Sequence, residues 1–340
     1  MRSASFIQAL VSSLADNVAK CFTYPILTSY IASGIGHKRS SLRYSANVLG
    51  RPWFSVRVCA SIHDHGIGFA EQRRRLAAQR INTLSFGAAT LVATLIPGIN
   101  FLVMPAAVAG ATERITIGTG IIVLPLYHPV HVAEDCATID RISGGRFVLG
   151  LGAGWFEGEH EPFGLELHEI GPRIDRLAAA LGTLRALFSP EAAGPPGVTR
   201  DDPHYPLRGA VCAPPPLTPG GPPLYLGGQG PRGIRLAART AAGWLLPGTH
   251  AGNVPYFAGK RDELVAALEA EGRDPAGFDV VGQVSTGTTA ASRREAVVAS
   301  RGLIAAGGSH IILGMPAALG PAGLDEIAQE CLAPLRDATA

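Results

Sequence analysis

From residue 53 onward the chain alternates short apolar runs with longer amphipathic ones. The apolar runs fall at 53–59, 82–86, 115–124, 147–151, 223–227, 243–246, 278–286 and 310–313, and each predicts a strand. Between them lie helical patterns starting near residues 69, 101, 129, 172, 231, 254, 292 and 323. The clearest is "GPRIDRLAAALGTLRALF" at 171–188, where Ile174, Leu177, Ala178, Leu181, Leu184 and Phe188 share one face and Pro172 suits a first helical position. The strands are mostly continuous apolar runs, as expected where helices cover both faces of a parallel sheet. Eight strands alternating with eight helices predict an α/β protein, a (β/α)8 barrel over residues 51–340, in preference to a doubly wound sheet.

Two connections are long. Residues 152–170 follow the fourth strand, and loops after strands lie on the catalytic face of such a barrel. Residues 189–222, dense in proline, approach the fifth strand from the opposite end and must fold back to reach that face.

Composition narrows the function. Of 340 residues 47% are hydrophobic and 16% charged, with a formal net charge of +2 and no Lys/Arg cluster, which argues against a nucleic-acid partner. No apolar run reaches the ~20 residues of a membrane span. Cys21, Cys59, Cys136, Cys212 and Cys331 are scattered, with no C-x-x-C pair, and read as buried thiols of a cytoplasmic protein. The first 50 residues differ, with nine serines, five Lys/Arg and one acid, Asp16. Transit peptides share that composition. Without a cleavage pattern or motif, residues 1–50 are expected to be a poorly ordered extension, or residues upstream of the true start.

Three motifs invite chemistry. In "FVLGLGAGWFEGE" (147–159) glycines recur at 150, 152 and 154 before two aromatics. The Rossmann fingerprint G-x-G-x-x-G does not fit, because the third glycine comes one residue early and no helix follows directly. In "LYLGGQGPRG" (224–233) a strand runs through glycines into a helix, so the N–H groups of Gly228, Gln229 and Gly230 are placed to converge on an anion. The competing reading is a tight turn needing positive φ. In "SIHDHG", His63 and His65 stand two apart after the first strand, like the H-x-H opening of metal-dependent amidohydrolase barrels. Of the further histidines and the aspartate that such a site needs at the later strand ends, only His250 is near a suitable position, so no metal is expected. The only lysines, Lys20, Lys38 and Lys260, stand at no strand end, and no G-x-S-x-G elbow is present.

The run 111–164, with "HYPL" (204–207), "PPLYLGGQGPRGIRLAARTAAGW" (222–244) and "GGSHIILGMP" (307–316), resembles the bacterial luciferase-like monooxygenase superfamily, in particular its deazaflavin-dependent oxidoreductases. The resemblance covers roughly residues 101–337. It implies a barrel holding coenzyme F-420, or FMN as the alternative, at the carboxyl ends of its strands, a small-molecule substrate, and the homodimer common in the family. By the same resemblance Gly152, Gly154 and Trp155 lie near the ring, with Trp155 and Phe156 walling the pocket. Gly228, Gln229 and Gly230 then form the phosphate turn, and Gly120–Ile121 is the candidate for a non-proline cis peptide. Members usually carry an ionisable polar pair after the second strand. Here "TLSFGAATLVATLIPGIN" has none between Thr83 and Asn100, leaving His63, His65, His128 and Glu157 as weak catalytic candidates. A flavin-binding barrel without turnover is the competing class.

Overall fold

The computed structural model describes residues 43–47, 57–58, 105–106, 108–110, 112–161, 164–316, 319 and 323–337. His63, His65, the strand predicted at 82–86 and the helix expected near 69 lie outside the described residues, while of the helix expected near 101 residues 105–106 and 108–110 are described and are helical.

In chain order the elements are β1 (Arg43–Asn47), β2 (Arg57–Val58), β3 (Ile117–Gly118), β4 (Ile122–Val123), α1 (Pro129–Ser143), β5 (Phe147–Gly152), α2 (Ile170–Leu187), β6 (Val198–Arg200) and β7 (Leu207–Ala210). There follow β8 (Leu224–Gly227), α3 (Pro231–Thr240), β9 (Gly243–Leu245), α4 (Val254–Ala270), β10 (Asp279–Ser285), α5 (Ala290–Ala305) and β11 (His310–Gly314). The chain closes on α6 (Gly323–Ile327), which continues through a π turn at Ala328–Leu332 into α7 (Ala333–Asp337).

The main sheet runs β2-β1-β11-β10-β9-β8-β5-β3, with β4 also paired to β5. Every pairing is parallel except that of β2 with β1. Among the described residues this is a barrel-type half-sheet that does not close. Its two faces follow from strand alternation. Val148, Tyr225, Leu245, Val281 and Ile312, one from each of β5, β8, β9, β10 and β11, form an inner cluster. Their neighbours Leu149, Leu151, Leu224, Leu226, Trp244, Val280, Ile311 and Leu313 face the helices in the large outer core. That two-sided burial is why these strands read as continuous apolar runs. Each fully buried Leu or Phe contributes roughly 1.5–3 kcal/mol. Among the described residues, no helix is long and apolar enough to cross a membrane.

Three expectations change and a fourth holds. Of the strand expected at 53–59 only Arg57–Val58 is described; it runs antiparallel to β1, and the parallel neighbour of β11 comes from residues 43–47. "RYSAN" carries too few apolar residues to stand out as a covered strand. The strand expected at 115–124 is two short pieces, β3 and β4, both on β5. The break between them holds Thr119, whose hydroxyl donates to Gly150 O and accepts from Gly150 N, both at 2.8 Å. Helix α2 begins at Ile170, two residues before Pro172, which still lies in the first turn, where its missing N–H costs nothing. The proline-rich segment forms a hairpin, β6–β7, that does fold back: Thr183 Oγ1 of α2 donates to Tyr205 O at 3.2 Å, and the Tyr205 ring meets His128 edge-on at 5.6 Å.

Candidate functional site

The carboxyl ends of β4, β5 and β8 meet around one side chain. The Gly120–Ile121 peptide is cis. A Cβ on Gly152 would lie 2.2 Å from Ile121 Cδ1, and one on Gly227 2.6 Å from the same atom. A Cβ on Gly150 would lie 2.0 Å from Thr119 O. So the glycines at 150 and 152 first serve this chain's own packing, since Ile121 and Thr119 take the space that side chains would fill. Ile121 sits above the inner cluster on the face that Val148 shares, and it forms the bottom of the mouth.

One step further along, Gly154 has φ +74°, and a Cβ there would meet His160 Cε1 at 3.0 Å, Nε2 at 3.2 Å and Val123 Cγ1 at 3.0 Å. The His160 imidazole therefore occupies the mouth between the ends of β4 and β5. It is 1% exposed, with Nδ1 3.1 Å from Phe156 O, and Nε2 has no hydrogen-bond partner among the described residues. Glu159 beside it is 2% exposed, and burial pushes its carboxyl up to about 7 with no cation or hydrogen bond to offset the shift. From α2, Arg173 donates to Gly154 O, and its buried Nε is likewise unpartnered among the described residues. Sequence reading missed Glu159 and His160. In "EGEHEPFG" they look like a solvated charged loop, and nothing in the spacing marks two of those residues as buried.

The second half of the site is the turn after β8. Gly228 has φ +129°, and Cβ atoms on Gly228 and Gly230 would meet open space. Gly230 caps α3 without a side chain to accept from its first N–H groups. The turn is held from behind: Trp244, fully buried, donates from Nε1 to Gly228 O at 2.5 Å, and Tyr256 OH donates to Gln229 Oε1 at 3.0 Å. His250 stacks on Tyr256 at 3.8 Å. Tyr256 also escaped sequence reading, because it follows β9 in the chain and reaches Gln229 only through the fold, and His250, weighed there only as a metal ligand, stacks on it instead.

The other predicted residues fall as follows. Trp155 and Phe156 stand beside the mouth, 66% and 41% exposed, their rings 5.5 Å apart. Glu157 is exposed. His128 is exposed and caps α1, its Nδ1 accepting from Val130 N at 3.3 Å. Glu157 meets His160 through its backbone carbonyl, which accepts from His160 N at 2.8 Å. Among the described residues, no group of three His, Cys, Asp or Glu side chains is placed to hold a metal ion.

The chain is similar to known proteins. A ketoreductase of phthiodiolone and phenolphthiodiolone dimycocerosates from Mycobacterium sp. (strain JLS) is 30% identical over 188 residues, 53% of this chain and 47% of that one. An "F420-dependent glucose-6-phosphate dehydrogenase" from Beutenbergia cavernae is 35% identical over 140 residues, 41% of this chain and 39% of that one. The chain thus spans about half the length, or less, of these curated relatives. The coenzyme F420 dependent tetrahydromethanopterin reductase of Methanopyrus kandleri has a similar fold, with TM-score 0.56 and 19% identity over 69% of this chain and 87% of that one. The model of the luciferase-like monooxygenase family matches residues 58–330. With β5, its glycine column and the β8 turn all inside that match, the chain belongs to the luciferase-like monooxygenase family.

Proposed function

We propose that this chain is an oxidoreductase with a closed (β/α)8 barrel that binds the deazaflavin F-420, with FMN as the alternative, and reduces or oxidises a small organic substrate. The observation that carries the reading is the turn at Gly228–Gly230. It opens a ten-residue helix, presents N–H groups that no cap side chain satisfies, and has open space where side chains at Gly228 and Gly230 would stand. Such a terminus favours a phosphate. The ring then lies over the mouth formed by Ile121, Gly154 and the Trp155–Phe156 pair. The bound coenzyme would supply the hydride; the chain's part is to hold it, orient the substrate and exclude water. Relatives named as a ketoreductase and an F-420-dependent dehydrogenase support this class.

Coenzyme fluorescence, titrated with the full chain against oxidised F-420 and FMN in turn, tests the reading. F-420 is expected to bind more tightly. Gly230→Asp is the informative variant, because its backbone accepts a side chain and an aspartate caps a helix well. It should leave folding intact while its carboxylate repels the phosphate, weakening binding at least ~10-fold, or about 1.4 kcal/mol. Equal affinity in wild type and variant would remove the phosphate from this turn. Tight binding without turnover of any substrate would select the non-catalytic flavin-binding barrel.

A further inference from the structure

The region after the second strand offers no acid or base between Thr83 and Asn100, and the mouth supplies one from elsewhere. We propose that His160 is the proton-handling residue of this pocket, acting through Nε2, and that the substrate is a ketone or the corresponding secondary alcohol. The inference rests on the coenzyme reading above.

The argument starts at Phe156 O. A carbonyl oxygen only accepts, so the 3.1 Å contact requires the proton on Nδ1. In the neutral ring Nε2 is then a bare acceptor. An imidazole held through Nδ1–H with a free Nε2 is oriented for proton transfer. Here that atom is buried and unsatisfied, which costs about 1–3 kcal/mol and suits a group built to be met by a ligand. Its place is fixed by Gly154 and Val123, on the same side of β5 as Ile121 and the mouth. Glu159, buried beside it and unpartnered, is a second group able to share a proton near neutral pH.

With a ketone as the substrate the reaction balances. Hydride from the reduced deazaflavin brings two electrons and one hydrogen to a carbonyl carbon. The C=O π bond breaks, a C–H bond forms, and the coenzyme is left oxidised. The oxygen, left as an alkoxide, takes a proton from protonated His160, and the imidazole is reprotonated from solvent. The reverse direction oxidises an alcohol, with Nε2 accepting the hydroxyl proton.

The test uses full-length protein labelled with ¹⁵N-histidine. In the free protein at alkaline pH, His160 should show a protonated Nδ1 and a bare Nε2. Saturation with oxidised F-420, followed independently by its fluorescence, should move the Nε2 resonance. Reduction of butanone, cyclohexanone or acetophenone by reduced F-420 should then fall about 100-fold in kcat in His160→Asn, whose amide nitrogen stands near the Nδ1 position and can still donate to Phe156 O. An unmoved Nε2 in the saturated protein, or an unchanged kcat in the variant, overturns the role of His160. A wild type that binds F-420 but reduces none of the three ketones overturns the substrate class. A wild type that binds no F-420 removes the coenzyme reading, and this inference with it.

Discussion

At the amino end of the sheet, Tyr225, Asp279, Ser309 and His310 form a hydrogen-bonded polar set. Tyr225 OH donates to Asp279 Oδ2, Ser309 Oγ donates to Asp279 Oδ1 at 3.1 Å, and Ser309 Oγ lies 2.9 Å from His310 Nδ1. At the carboxyl end, His160 Nε2 and Arg173 Nε are buried without partners among the described residues, and the Glu159 carboxyl is buried with no partner to stabilise its charge. Both ends put polar groups among apolar strands, and only one satisfies them. A buried polar group without a partner is retained against its cost where something outside the chain completes it. The amino end is therefore built for stability and the carboxyl end for a ligand.

The comparison can be broken or sharpened by substitution. Gly150→Ala should have the largest effect, ~3 kcal/mol or more, because its Cβ meets a backbone oxygen that cannot rotate away. Thermal unfolding reads this directly, and a mild loss would mean that the Thr119–Ile121 segment is not fixed. Next comes Asp279→Ala, which strips a partner from Tyr225, Ser309 and His310 together and should cost about 2–4 kcal/mol in denaturant unfolding.

At the other end Glu159→Gln should stabilise. Unfolded, this carboxyl ionises near 4.5; folded, burial holds it up to about 7. Between those values the folded state keeps a proton that the unfolded state has lost, so stability falls as pH rises through the window and stays reduced above it. The variant should gain about 1–2 kcal/mol above pH 7 and nothing below pH 4.5. A flat difference across pH would show that the carboxyl is not the group held in its acid form. Trp155→Ala comes last. At 66% exposure it should change stability by no more than about 0.5 kcal/mol. A large loss in its thermal unfolding would show that the ring is packed and not presented to a ligand.

The strands that helices cover were legible because continuous apolar runs have one meaning in a parallel sheet. The predictions at 147–151, 243–246, 278–286 and 310–313 end within a residue of β5, β9, β10 and β11. The split between β3 and β4 was not legible, since the apolar run continues through the break, and what interrupts it is Thr119 bonding to a neighbouring strand. The glycine turns at 152–154 and 228–230 were visible as patterns, but not the reason for the first. The sequence could not show that Ile121 fills the space at Gly152. His160 and Glu159 lay hidden because their burial depends on how a charged loop folds inward over strand ends.

The most direct test of the contrast between the two ends is hydrogen exchange of the full chain with and without saturating oxidised F-420. Protection is expected to grow in residues 152–161 and 227–234 and to stay unchanged at the starts of β10 and β11. Protection that appears at the amino end, or nowhere, would contradict a ligand site at the mouth.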